Sequence, residues 1–201
     1  MTPEAHAEWE LKAVVPDWTA LRARLESSGA TLEFEGRLED RRYDTPADDL
    51  SVRDHVLRLR IYRDAAGRVA RASLDWKGPT EYRGGYKVRE ERSTSVGDPD
   101  AMATVLERLE YRVAVAIDRA IVQYALRGAS VRLERYPRMD DLVEVEGTAD
   151  SIEAAIRATG LSREAFTADA LAGFIARFEA RTGVAAAVSD AELTLAERRH
   201  A

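Results

Sequence analysis

Cysteine is absent from the 201 residues of this chain, which excludes disulfides, thiolate nucleophiles and zinc–thiolate centres. Histidine is nearly absent: the three that occur, at positions 6, 55 and 200, are too scattered for a histidine-based metal site, although His6 shares the alternation parity of Glu8. Any metal would therefore be held by carboxylate oxygens, which favours magnesium, manganese or calcium over zinc or copper. No run approaches the roughly 20 apolar residues of a membrane span. The N-terminus also lacks a basic region followed by an apolar one, so the expectation is a cytoplasmic protein with no membrane contact. Cationic excess is missing too, with 30 Lys and Arg against 36 Asp and Glu and a net charge of -6. That balance argues against a nucleic-acid partner but not against a small anion in a local basic pocket.

What the chain does have is ions, 33% of its residues, and enough length for one sizeable core. The expected layout is a single domain over residues 1–183 with a helical tail over 184–201. Period separates strands from helices. Alternation marks strands at 8–13, 32–43, 55–63, 71–77, after Gly84-Gly85, across 112–126, at 130–136 and at 142–147. Apolar residues at three and four predict helices from Trp18 to Gly29, from Asp98 to Leu109, and over 151–159, 162–182 and 189–199, the last opening on a capping-box spacing of Ser189 and Glu192. Eight strands followed by a helical C-terminus point to an α+β fold with an antiparallel sheet or barrel.

Most of these strands pair an apolar face with an ionic one. The ionic faces carry Glu8, Glu10 and Lys12, then Arg58 and Arg60, Lys77, Lys87 with Arg89 and Glu91, Arg119, Glu134, and finally Glu144 and Glu146. An antiparallel sheet can turn such a face to water. These faces, however, lack the Thr, Ser and Gln that usually dilute a solvated surface. If the strands close into an eight-stranded barrel, the ions line an interior wide enough only for side chains or one small ligand. Isolated buried charges cost several kcal/mol each. The interior must then be laced with salt bridges or filled by a polyanion with its metal. Arginines supply bidentate donors to phosphate oxygens, lysines act as point charges, and magnesium is commonly shared between one or two carboxylates and substrate phosphates. An elongated anion such as a triphosphate would match.

Six motifs in order carry the reading further. They are Glu8-x-Glu10-x-Lys12, Tyr43-Asp44-Thr45, Leu57-Arg58-Leu59-Arg60, Trp76-Lys77-Gly78-Pro79, Arg89-Glu90-Glu91 and Glu144-Val145-Glu146. Together, over roughly residues 6 to 148, the chain resembles the CYTH superfamily of triphosphate tunnel metalloenzymes, which includes class IV adenylyl cyclases, thiamine triphosphatases and inorganic triphosphatases. The resemblance implies an eight-stranded antiparallel tunnel with flanking helices. It further implies a magnesium or manganese ion on Glu10, Glu144 and Glu146 with Glu8 near them and Glu134 where the family has aspartate. Phosphate oxygens would be held by Lys12, Arg58, Arg60, Lys77, Arg89 and Arg119, with Glu91 also lining the tunnel; Lys87, inward by its own parity, is added to the phosphate-binding candidates.

Within the family, Lys-Gly-Pro, Arg-Glu-Glu and the helical C-terminus lean toward the class IV cyclase branch, which converts ATP to cyclic AMP and pyrophosphate. A triphosphatase acting on tripolyphosphate, thiamine triphosphate or a nucleoside triphosphate is the alternative. Lys12 is the candidate for orienting or deprotonating the nucleophile. Ile117 stands where the family has a phosphate-binding lysine, a departure that Lys87 could offset and that also motivates a non-catalytic polyphosphate-binding module. Tyr43 and Trp76 are expected as core aromatics, Glu90 and Arg92 as outward-facing. Apolar outer positions on a barrel would offer a surface for a homodimer.

Overall fold

The computed structural model describes residues 7–193. The parity of His6 and the part of the last expected helix beyond Leu193 lie outside the described residues. The strands are β1 Ala7–Val14, β2 Thr31–Asp44, β3 Val56–Arg63, β4 Val69–Lys77, β5 Glu81–Arg83, β6 Tyr86–Ser95, β7 Arg112–Leu126, β8 Ala129–Arg135 and β9 Leu142–Gly147. The helices are α1 Trp18–Ser27, α2 Pro99–Arg108, α3 Ala149–Thr159 and α4 Leu171–Thr182. One antiparallel sheet takes the strands in the order β1-β9-β8-β7-β2-β3-β4-β6-β5, and β1 also pairs with β6. The eight expected strands thus form a closed order of pairings, in the manner of the tunnel fold. β5 is an addition, joined to β6 by Gly84-Gly85, whose positive φ values of 59° and 84° suit the two-residue turn of a tight hairpin.

Contact density divides the chain into two compact units. In the first (Glu8, Gly36–Glu81 and Arg89–Asp118), alternation on β2, β3 and β4 sends Tyr43, Leu59, Ile61 and Ala72 into an apolar cluster. Helix α2 covers it with Leu106, Met102 and Ala103. That helix starts where Asp98 caps the Ala101 N–H at 2.9 Å and Pro99 takes the first turn. Leu59 is 1% exposed, and burying a side chain of this size contributes about 1.5–3 kcal/mol. Tyr43 is a core aromatic as expected, Trp76 is half-buried edge-on to His55 at 5.3 Å, and Glu90 and Arg92 are exposed and bonded to each other.

In the second unit (Trp9–Glu35, Tyr82–Val88 and Arg119 onward), Leu11, Ala13, Val131, Leu133, Val143 and Val145 are buried on one face. Helix α3 packs on β8 and β9 and against α1, contributing Ile152, Ala155 and Ile156, while α1 adds Leu21 and Leu25. Asp17 caps α1 through the Ala20 N–H, and Gly160 ends α3 with φ +70°.

The expected helix over 162–182 is corrected at its start. Only Leu171–Thr182 is α-helical; residues 163–165 form a single tight turn, and Thr167 exchanges backbone hydrogen bonds of 2.9 and 2.8 Å with Lys12. The apolar spacing over 162–170 reflects the burial of Phe166 rather than a helical stripe, because β1 claims the backbone there. Likewise the Ser189–Glu192 spacing closes a short turn at 190–192, in which the Glu192 carboxylate accepts from the Val188 and Ser189 N–H groups.

Candidate metal and anion site

In the second unit, register decides the chemistry. Directly opposed residues share a face, and the ladder sets Lys12 against Glu144, and Glu144 against Arg132, which in turn opposes Gln123. That cross-strand row alternates in sign. The next row does not: Glu10 opposes Glu146, which opposes Ser130. Like charges in direct opposition are destabilising unless a cation intervenes.

The alternating row is fully knitted. Lys12 Nζ pairs with Glu144 Oε2 and sits 3.1 Å from Glu10. The Arg132 guanidinium donates through Nη2 to Glu144 Oε1 and through Nε to Glu134 Oε1 at 2.9 Å. Arg119 Nε donates to the same Glu134 oxygen at 2.9 Å, and the Tyr136 hydroxyl donates to the other at 2.6 Å. All seven of these side chains are buried, Glu134 to 1% exposure. Burial alone would raise the Glu144 and Glu134 carboxyls. Arg132 with Lys12 holds Glu144 well below the usual carboxylate range instead, and Arg119 with Arg132 lowers Glu134. For Lys12, burial would lower the ammonium, yet Glu10, Glu144 and Glu134 outweigh it and raise it. Lys12 is therefore a cation in this state.

The like-charge row is where a metal fits. One carboxylate oxygen from each of Glu8, Glu10 and Glu146, neighbours along β1 and β9, can be chosen so that all lie within 4.8 Å of one another. This all-oxygen donor set suits a hard divalent cation. Lys87, inward as its parity implied, reaches Glu10 at 2.5 Å.

The first unit gathers the remaining candidates. Lys77 bonds Glu8 and lies 3.3 Å from Glu91. Arg58 donates to Glu91 at 3.2 Å and approaches Asp40 at 3.7 Å and Asp75 at 3.4 Å. Arg60 donates to Asp75 at 2.5 Å and lies 3.6 Å from Glu91. Asp75 is fully buried and also accepts from Ser93 and Ser73, at 2.5 and 3.3 Å. Burial would raise this carboxyl, but Arg60 and Ser93 outweigh it and hold it below its ordinary value. Glu91 goes the other way: burial, with Glu8 nearby, raises it despite Lys77 and Arg58. Arg89 stands apart from the other expected phosphate ligands. Its Nε donates to the Gly78 carbonyl at 2.6 Å and Nη2 to the Asp54 carbonyl, so these bonds fix the turn after Lys77.

Three members of these networks were not anticipated as site residues: Arg132, Asp75 and Asp40. Arg132 has the parity of Glu134 and Asp75 that of Lys77, whereas Asp40 is placed by its opposition to Arg60 across β2 and β3, which no local pattern carries. Ile117 is 1% exposed.

No curated protein matches the chain by sequence. Among solved structures, a Vibrio parahaemolyticus protein provisionally named an adenylate cyclase superposes with a TM-score of 0.71 at 18% identity, covering 84% of this chain and 97% of that one. PH1819 from Pyrococcus horikoshii OT3 gives 0.66 at 22% identity, with 85% and 98% covered. HpAC1 from Hippeastrum, provisionally named an adenylyl cyclase and described as having a dominant triphosphatase activity, gives 0.60 at 18%, with 87% and 95% covered. These likenesses establish the fold. A profile of the CYTH domain matches residues 6–159, most of the chain, and with the ordered motifs and the closed strand pairing it shows that the chain belongs to the CYTH domain family.

Proposed function

We propose that this protein is a divalent-metal-dependent enzyme acting on a triphosphate, and that its reaction is of the adenylyl cyclase type. The observation that carries the reading is the Glu10–Glu146 opposition beside Lys12 and Lys87. Two carboxylates facing each other call for a hard cation, and the lysines at their edge call for the anion that such a cation brings with it. Glu8, Glu10 and Glu146 are assigned to Mg2+ or Mn2+. When bound, the ion neutralises phosphate charge and polarises a phosphoryl oxygen.

The chain's own residues supply the rest. Lys12, Lys87, Arg119, Arg58, Arg60 and Lys77 are the proposed donors to phosphate oxygens. Lysines can swing on flexible stems to follow the anion, whereas Arg58 and Arg60 are held by Asp75 and Glu91 in fixed forks. Lys12, charged in this state, binds and orients an oxygen rather than removing a proton. In cyclisation the ribose 3'-oxygen bonds to the α-phosphorus, the bond to the bridging oxygen breaks, pyrophosphate leaves and the hydroxyl proton passes to solvent. Positioning and charge stabilisation account for most of such catalysis.

A second reading, hydrolysis at the terminal phosphorus, is favoured by the triphosphatase activity described for HpAC1, because the same donors would serve it. A binding module without turnover is favoured by the buried Ile117 at the lysine position. Incubation with ATP, thiamine triphosphate and tripolyphosphate, each with magnesium or manganese, separates the three. Cyclic AMP with pyrophosphate is the expected product, orthophosphate supports hydrolysis, and tight metal-dependent binding without product supports the module. If the protein neither turns over nor binds any of them, the proposal is wrong.

A further inference from the structure

The carboxylates of the second unit fall into two groups that differ in what already satisfies them. Both oxygens of Glu134 and both of Glu144 have a donor: Arg119 and Arg132 on Glu134 Oε1, Tyr136 on Oε2, Arg132 on Glu144 Oε1, Lys12 on Oε2. Glu10 and Glu146, one row along the same ladder, oppose each other directly, and what Glu10 Oε1 meets is ammonium rather than guanidinium, Lys87 at 2.5 Å and Lys12 at 3.1 Å. Arg132 makes the difference. It stands on β8 between the two satisfied carboxylates, buried to 5% exposure, and spends two edges of one planar fork on them. Its nearest approach to Glu146 is 3.8 Å.

We propose that Arg132 is a resident cation that closes the Glu134–Glu144 half of this acidic group to metal, so that the chain binds a single divalent ion, on Glu10 and Glu146 with Glu8 beside them. The inference rests on the reading that these carboxylates hold a metal, and it assigns Glu134 and Glu144 to positioning rather than to ligation. A divalent ion entering at Glu144 would have to expel either Arg132 or Lys12. Expelling Arg132 also uncovers Glu134 and leaves a buried guanidinium facing nothing of opposite sign on that edge. Lys87, by contrast, is a single ammonium group on a flexible stem and can leave Glu10 for a phosphate as an ion arrives. The row of alternating charge thus remains a fixed wall, and the like-charge row is the part that responds to ligand.

The test is Mn2+ titration of the full-length protein, with free Mn2+ counted by electron paramagnetic resonance and no substrate present. The expected result is one ion per chain. Glu146→Gln and Glu10→Gln should each weaken it by about 10- to 100-fold, as for loss of a metal-site partner, whereas Glu144→Gln should leave the affinity within about threefold. Arg132→Gln should admit a second ion, and Arg132→Lys, which keeps a cation, should not. Two ions on the wild-type protein, or loss of binding in Glu144→Gln with Glu146→Gln unaffected, would overturn the inference while leaving the metal reading intact. No Mn2+ bound by the wild type would overturn both. Should Arg132→Gln fail to fold, the contrast between Glu144→Gln and Glu146→Gln decides the matter alone.

Discussion

The two units solve the same electrostatic problem with opposite signs at the centre. In the first, a buried carboxylate, Asp75, is the hub, and Arg58, Arg60, Ser73 and Ser93 converge on it. In the second, a buried guanidinium, Arg132, is the hub, and Glu134 and Glu144 converge on it, with Glu146 at the edge. An anionic hub fixes cations, and a cationic hub fixes anions. Each hub holds groups of the opposite sign in place: two arginines around Asp75 in one unit, two carboxylates around Arg132 in the other. Ion pairs of this kind keep buried groups charged and fix where they point.

The strongest way to break this comparison is to remove a hub. Asp75→Ala should destabilise the fold by about 3–5 kcal/mol in urea unfolding, the usual consequence of leaving buried charges without their partner. A loss under about 1 kcal/mol would mean that Asp40 and Glu91 suffice for Arg58 and Arg60 and that Asp75 is no hub. The responding row gives a smaller and different effect. Glu10→Gln should lower metal-dependent turnover by about 10- to 100-fold while moving the unfolding midpoint little, because it relieves a like-charge opposition as it removes a ligand.

Acid sharpens the contrast inside the first unit. Asp75 is depressed in the folded protein, so its contribution is present above the unfolded aspartate value near about 3.9 and is lost as pH falls through the folded one. Glu91 is raised, so its contribution is present below the unfolded glutamate value near about 4.3 and is lost as pH rises through the folded one. Asp75→Asn should therefore flatten the acid limb of the stability curve. Glu91→Gln should remove a component of the opposite slope. Identical curves for the two variants would show that the carboxylates share one environment.

The sequence made the strands and the parity of the ionic faces legible because alternation is a property of the backbone, independent of what packs on either side. Expected bounds for the strand over 112–126 and for that over 142–147 coincide with the observed ones. The false start at Ser162 arose where Thr167 bonds to β1, a long-range pairing that no local period carries. Arg132 was overlooked for a related reason. Its parity was visible, but its partner Glu144 is set by β8–β9 register, and register depends on the turn between the strands rather than on either strand's pattern. Asp40 and Asp75 lay hidden likewise, as anions among cations whose pairing needs β2, β3 and β4 side by side.

The smallest expected effect tests whether the face, rather than the charge, is what matters. On β6, Glu91 points to the ionic face and meets Arg58 and Lys77, while its neighbour Arg92 points outward and pairs with exposed Glu90 at 2.8 Å. An exposed pair of this kind contributes about 0–1 kcal/mol, because water and salt screen it and two long side chains must be held in one geometry. Arg92→Ala should accordingly shift stability by no more than about 0.5 kcal/mol and leave turnover unchanged, with what effect there is fading as salt rises. A loss comparable to that from Asp75→Ala would mean that the outward ions of this strand also carry structure. The division of each strand into a bland face and a charged, organising one would then have to be abandoned.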